Sequence, residues 1–368
     1  MLDVLTQMRQ TVQERELMGP ETPVLLMVSG GSDSTAMTYL VKELSDAGEV
    51  GPMAILHVNH LLRGKDADDD EAFVAKLADH LGIPLFNCQI DVAKAAEAEG
   101  GNVEAVGRRE RYAAAHDALR SLCNNFAFPV KDGRILVAHT QDDRVENFFM
   151  RSIAGTGPGG FRSMMYSNGP VVRPVLDMSK DQLRQYLYAR AEADGDSVVR
   201  DEEGMLWRED ATNAHTDKFR AFVRHEIVPV AKTRNYKLLD TLCRTMNLIG
   251  DEDDMLDAHA NELMGQCVVW EDFNGDQVVD YESGCLIRPE FGEVPLAMQR
   301  RVAFQVLQLI LGADARVEHS AVAGIVEGFY EGAPISGYTA NIQGNLALSA
   351  NKNGLRIEPM GVYRARRK

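Results

Sequence analysis

The sequence predicts an α/β protein: a doubly wound, mostly parallel sheet followed by a smaller helical and α+β C-terminal domain. Three observations predict it. Short apolar runs alternate with segments of helical period over the first half of the chain, the pattern of a parallel sheet with helices on both faces. The first run, Val24 to Val28, is apolar without alternation, as a strand covered on both faces must be. It ends in Ser29-Gly30-Gly31-Ser32-Asp33-Ser34, a glycine-rich turn leading directly into a helical pattern.

Each element can be justified in order. Residues 1–20 carry Leu2, Leu5, Met8 and Val12 on one side of an expected amphipathic helix. After the first strand, Ser32, Asp33 and Ser34 supply acceptors suited to capping the helix that bears Met37, Leu40, Val41 and Leu44. The N–H groups of such a helix start carry partial positive charge, so an anion fits there, and a phosphate is the natural one. Met53 to Val58 reads as a second strand, ending in Asn59-His60-Leu61-Leu62-Arg63 at the edge where doubly wound sheets bind ligands. A helix from about Asp66 to Leu81 leads to a third strand, Pro84 to Ile90. Asn102 can cap a long helix carrying Arg108, Arg109, Arg111 and Tyr112.

Arg134 to Ala138 is the fourth strand, and His139-Thr140-Gln141-Asp142-Asp143 follows at the same sheet edge. Asp142 is the expected cap of the next helix, with His139 and Asp143 the functional pair; a carboxylate there suits Mg²⁺, which takes oxygen ligands and bridges phosphates. Gly155 to Gly160 spells G-x-G-x-x-G, but it follows a helix and contains Pro158, so it reads as a loop over a site or a plain linker rather than a dinucleotide turn. A helix runs from Ser179 to about Ala191, then an acidic irregular stretch to Asp210. Arg220 and Arg224 lie four apart on one helix face, placed to clamp phosphate or pair with acids. From about Lys237 a long helix carries the stripe Leu238, Leu239, Leu242, Met246 and Ile249. Strand-like pieces over 268–294, two helices (about 295–311 and 316–329) and alternating segments over 338–357 complete a domain expected at 235–368, after a catalytic domain at 1–234.

Composition bounds the function. The chain has 368 residues, 45% of them hydrophobic, enough for real cores. Its five cysteines form no C-x-x-C pair, which argues against a zinc ribbon, an iron–sulfur site or a disulfide framework. A net charge of −16 disfavours a broad nucleic-acid footprint, yet basic clusters at 108–111, 220–234 and 364–368 leave room for a local basic face. No apolar run approaches the roughly 20 residues of a membrane span, and the first 20 residues lack a signal-peptide core, so no membrane partner and a cytoplasmic location are expected.

No lysine follows the glycines, so the loop is not of the Walker A type. SGGSDS instead matches the SGGxDS loop of the N-type ATP pyrophosphatases, or PP-loop superfamily, where it resembles a cradle for pyrophosphate leaving ATP. That resemblance implies adenylation chemistry. The ordered set is more specific: HVNHLLR at 57–63, R-x-x-R-Y at 108–112, H-x-x-D-D at 139–143, M-R-x-x-x-G-x-G-x-x-G-F at 150–161, D-A-T-N at 210–213, and Arg220 to Pro229. Together these segments resemble the tRNA(Ile)-lysidine synthase family, strongly over about 20–230 and more weakly to 358. Ala221, Asn147 and Ala154 depart from its usual Asn, Thr and Arg.

The resemblance implies a carbon–nitrogen ligase using ATP and Mg²⁺. Its substrates would be free L-lysine and the wobble cytidine of a tRNA(Ile) with a CAU anticodon. It implies Ser29, Gly30, Gly31, Ser32, Asp33, Ser34 and His57 for ATP, Asp33 and Asp143 for the metal, and Asp33, Arg111, His139 and Asp143 for catalysis. His60, Arg63, Arg108, Arg220 and Arg224 would meet RNA, and the C-terminal domain would contact the tRNA as well. The alternatives are another PP-loop adenylating enzyme, acting on tRNA or forming an amide, and a non-catalytic nucleotide-binding regulator. The oligomeric state stays open, a homodimer included.

Overall fold

The structure, a computed structural model, describes residues 3–62, 64–209, 218–274, 278–312 and 315–367. Arg63 and the Asp210-Ala211-Thr212-Asn213 motif lie outside the described residues. The chain forms two compact units, Met1–Gly250 and Asp251–Lys368.

In the first unit, α1 (Val4–Glu14) buries Met8, Thr11 and Val12, and β1 (Val24–Met27) opens the sheet. Then come α2 (Ser32–Asp46), β2 (Met53–Asn59), α3 (Lys65–Leu81), β3 (Leu85–Gln89), α4 (Val92–Glu99) and α5 (Val103–Asn125). Asn102 caps α5 as expected, accepting from the Glu104 N–H at 2.8 Å. Next are β4 (Arg134–Leu136), α6 (Gln141–Ala154) and a single helical turn, α7 (Pro158–Phe161), in the glycine-rich segment. Two short strands, β5 (Ser167–Asn168) and β6 (Val171–Val172), precede α8 (Lys180–Ala193). The short α9 (Lys218–Phe222) runs through a π-turn at Val223–Ile227 into α10 (Val228–Arg234), and α11 (Leu238–Cys267) follows.

The strand order is β3-β2-β1-β4-β6-β5, parallel throughout except for the β5–β6 pair. The chain winds outward from β1 to β3, then returns to lay β4 on the other side of β1. The topological switch point therefore falls between β1 and β4, and the crevice at their C-terminal ends is where such sheets bind ligands. Alternate residues of the strands feed two cores. Leu26, Val28 and Ile55 pack with Met37 and Leu40 of α2, Phe73 and Leu77 of α3 and Leu183 and Leu187 of α8. Leu25, Ala54, Leu56 and Ile135 face Ala115, Leu119 and Leu122 of α5. Covered on both faces, β1 has to be apolar at every position. The beginning of α11 also belongs to this unit: Cys243 and Met246 are buried with Val145 of α6 and Val223.

The second unit is built on an antiparallel sheet of β7 (Val268–Asn274), β8 (Val278–Ile287), β11 (Thr339–Ile342), β12 (Leu346–Asn351) and β13 (Gly354–Pro359), in the order β11-β12-β13-β8-β7. Helices α12 (Leu296–Leu311) and α13 (His319–Glu327) bury Val302, Val306 and Ile325 against Leu348, Leu355 and Ile357. A small hairpin, β9 (Phe329–Tyr330) with β10 (Ala333–Pro334), follows α13, and α14 (Met360–Arg366) ends the fold. Arg301 of α12 ties down α11 through Asp253 at 2.6 Å and Asp257 at 2.5 Å.

Candidate active site

The glycine-rich loop leaves β1 and starts α2. Gly30 has φ +90°, a conformation that strains any residue with a Cβ. Its carbonyl is tied back by the Thr35 hydroxyl at 3.2 Å and the Arg208 N–H at 2.9 Å, and the Gly31 carbonyl accepts from the Ser34 hydroxyl at 3.1 Å. With these carbonyls fixed, the loop is preorganised. One sequence expectation is corrected here. Gly31, not a serine or aspartate, is the N-cap of α2, and no side chain caps the helix. Ser34 bonds within the loop and Ser32 donates to Asp33 Oδ1 at 3.0 Å, so both hydroxyls serve the loop rather than the cap. The start of α2 keeps its anion-binding character.

The second strand end contributes through His57 and the turn after it. His57 is buried, and its Nδ1 lies 2.8 Å from the Val28 carbonyl, to which it can only donate. It thus links β2 to the root of the loop. His60 lies in the turn after β2, where Asn59 Oδ1 accepts from the Leu61 N–H at 2.9 Å and Leu61 takes φ +54°.

The third contribution comes from α6. Its N-cap is Thr140, and Asp143 closes a capping box: Oδ2 accepts from both the N–H and the hydroxyl of Thr140 at 2.9 Å. The sequence assigned the cap to Asp142. Asp142 instead accepts from the Lys180 N–H in the first turn of α8 at 2.9 Å, and the cap of α6 falls to Thr140 because Thr140-x-x-Asp143 has the three-residue spacing a capping box needs. Asp143 serves both purposes, since Oδ1 stays directed at cations: Lys180 Nζ at 3.1 Å and Arg220 Nη2 at 3.0 Å. Burial works to raise its pKa, but Lys180, Arg220 and the Thr140 N–H outweigh it and hold Asp143 at about 2. Asp33 lies on the other side of the same ammonium, 4.0 Å from Lys180 Nζ. Burial, only partly offset by Lys180 and reinforced by Asp143, pushes Asp33 up to about 6.

Cations gather around His139. Its Nδ1 accepts from Arg173 Nε at 3.3 Å, which leaves the ring proton on Nε2. Burial pushes His139 down to about 4; Asp143 opposes this, while Arg173, Arg220 and Arg108 add to it. Arg108 is exposed and stacks over Tyr112 at 5.1 Å; Arg111 is half-buried beside the same ring at 5.9 Å, its Nε without a partner. Burial lowers the Arg111 pKa, and Arg108 lowers it further. Arg109, between them, is committed to Glu99 at 2.7 Å. Arg220 and Arg224 both bind Glu146, at 2.8 and 2.7 Å, so in the ligand-free protein they pair with acids.

A family model described as "PP-loop domain" matches residues 3–231, which holds every one of these residues. The chain belongs to the PP-loop family. Among curated relatives, the tRNA(Ile)-lysidine synthase of Thermus thermophilus is 36% identical over 244 residues, covering 66% of this chain and 42% of that protein. The enzyme of the same name from Dehalococcoides mccartyi is 29% identical, covering 86% of this chain and 62% of the relative. That from Chlorobaculum tepidum is 28% identical, with 69% and 71% covered. The match thus spans less than two thirds of the first two relatives.

Around the PP-loop the structure adds residues that the sequence reading missed: Lys180, Arg184, Arg173, Arg208 and Glu146. Ser179-x-x-Gln182 is a capping box, with Gln182 Oε1 accepting from the Ser179 N–H at 2.9 Å; it confirms the helix start expected at Ser179 and puts Lys180 in the first turn, where its meeting with Asp143 and Asp33 is a matter of tertiary contact. Arg208 lies inside the acidic stretch and was hidden by it; its guanidinium binds Asp70 and Asp201 at 3.1 and 3.2 Å while its N–H braces Gly30.

Proposed function

We propose that the protein ligates free L-lysine to C2 of the wobble cytidine of a tRNA(Ile) with a CAU anticodon, at the expense of ATP. The observation that carries the reading is the meeting of Asp33 from the PP-loop and Asp143 from α6 on one ammonium, with the arginine cluster around His139 beside it. The names of the relatives supply the substrate.

The residues suit a two-step reaction. The cytidine O2 attacks the α-phosphorus of ATP, and pyrophosphate leaves. The lysine ε-amine then attacks C2, and AMP departs with O2. The loop N–H groups at the start of α2 stabilise charge that develops on the phosphates. His139 offers Nε2–H to a phosphoryl oxygen, and Arg111 supplies a fixed charge. The amine must lose a proton to attack, since a free lysine titrates near pH ~10.4. A carboxylate of the site is the natural acceptor.

The donor set fits Mg²⁺. Two carboxylates face one positive charge, and among the described residues no cluster of three or more His, Cys, Asp or Glu offers a complete protein cage. Mg²⁺ is commonly held by one or two carboxylates plus substrate phosphates. Asp33 and Asp143 would hold it, and when bound it would neutralise phosphate charge.

Arg108, His60, Arg63, Arg220 and Arg224 are the residues proposed to meet RNA, with the region 235–368 as a second tRNA contact. The test is direct. Protein, ATP, Mg²⁺, radiolabelled lysine and a CAU-anticodon tRNA(Ile) transcript should give label in the RNA; no incorporation overturns the reading.

A further inference from the structure

The PP-loop has a charge problem. Pyrophosphate is a polyanion, yet Ser29–Ser34 offers hydroxyls and N–H groups, one carboxylate and no cation. A helix start contributes only about half an elementary charge. A P-loop adds its own lysine to its Mg²⁺; here the side-chain cation that accompanies Mg²⁺ has to come from elsewhere in the fold.

Helix α8 supplies it. Its Tyr186 hydroxyl and Arg190 both bind Glu43 of α2 at 2.6 Å, which fixes α8 alongside the helix that the loop begins. Residues 180 and 184 lie one turn apart on one face, and that face meets the loop. Lys180 Nζ lies 4.0 Å from Asp33, and Arg184 Nε lies 3.5 Å from the Ser32 hydroxyl. Arg184 is oriented by the Trp207 ring, 5.6 Å from its guanidinium carbon. It is weakly committed: its carboxylate partner, Glu209, is 4.0 Å away, against 2.6 Å for the Arg190–Glu43 pair on the same helix. A guanidinium aimed at a phosphate loop and loosely paired is free to take an anion.

The geometry points to Lys180 and Arg184 as the cationic wall of the PP-loop, holding the leaving pyrophosphate against the N–H groups of Ser29–Ser34. This deepens the reading above and rests only on pyrophosphate leaving at this loop, not on lysine or RNA. A purely structural role is the competing account: Lys180 neutralising Asp143, Arg184 covering Trp207.

Titration calorimetry of the full chain with inorganic pyrophosphate and Mg²⁺ separates the two, with AMP as the second ligand. Lys180→Met and Arg184→Met should each weaken pyrophosphate binding about tenfold or more, as loss of one charge-assisted contact implies. AMP affinity should stay within about twofold, and Arg184→Lys should recover part of the loss. Arg184→Met removes no tight ion pair, so its fold is secure whatever Lys180→Met does. Pyrophosphate binding unchanged in a variant removes that residue from the wall. AMP affinity falling in step with pyrophosphate, or no pyrophosphate binding by the unmodified protein, overturns the proposal. Lysine ligation is not the readout, so the proposal can fail while the ligase reading stands, and the reverse.

Discussion

At the scale of single residues, His139 and Asp33 make opposite predictions. Arg173 fixes His139 with its proton on Nε2, and burial keeps the ring neutral above about pH 4. Its chemistry is therefore donation from a neutral ring. Glutamine places an N–H near the Nε2 position, so His139→Gln should retain at least tenfold more turnover than His139→Ala, within the ~10²–10³ that one such donor contributes. The pH profile of the unmodified enzyme should show no limb from this histidine between pH 6 and 8; a His139-dependent limb there would contradict the tautomer argument. Asp33 behaves the other way in metal-free protein. Its folded pKa of about 6 lies above the ordinary aspartate value of 3.8, so its contribution to stability is full below pH 3.8 and is lost as pH rises through 6. The charged form costs up to about 3 kcal/mol, at 1.36 kcal/mol per pKa unit. Asp33→Asn should therefore raise the Tm in chelator at pH 8, with the gain vanishing near pH 4. Equal gains at both pH values would show that the charge is not the cause.

At the scale of elements, the capping box of α6 carries both a fold and a site. Thr140 is fully buried and gives Asp143 two hydrogen bonds. Thr140→Ala should cost about 1–2 kcal/mol in urea unfolding, the range for a lost N-cap. The same change frees one lone pair of Asp143, so metal affinity should change along with stability; a stability loss alone would mean that the box and the site are independent. The elements also show what a sequence can carry. The buried strands β1, β2 and β4 were legible because burial on both faces forces unbroken apolar runs, and the loop was legible because only glycine accepts the φ of Gly30. The strands β5 and β6, two residues each, are too short to show a period, and α4 falls in a stretch that the sequence reading assigns to no element. Lys180, Arg173 and Glu146 were not legible as site residues. Their meaning comes from partners 34 to 147 positions away, which only the tertiary fold brings together. The capping box at Thr140 was written in the sequence, and reading it would have corrected Asp142.

At the scale of the molecule, an acidic chain is proposed to meet an acidic polymer. With a net charge of −16, long-range attraction to RNA cannot come from the whole surface and must come from local clusters. The structure sorts the cations available to such a cluster. Arg109 is spent on Glu99 and Glu110, and Arg220 and Arg224 on Glu146, whereas exposed Arg108 meets the Tyr112 ring and, among the described residues, no carboxylate. An arginine without an acidic partner surrenders no ion pair when it meets a phosphate, so its contribution to RNA binding should be larger than that of its neighbours. In the slope of log affinity against log salt for a tRNA transcript, Arg108→Gln should lower the magnitude by about 1, one phosphate's worth of counterion release, and weaken binding to all sequences alike. Arg109→Gln, which breaks an existing ion pair, should leave the slope unchanged. Fluorescence anisotropy between 50 and 200 mM salt, a range wide enough to resolve ~1 unit of slope, distinguishes the two. Equal slopes for Arg108→Gln and the unmodified protein would place the RNA elsewhere on the molecule, since an exposed arginine that gives up no ion pair would then have met no phosphate.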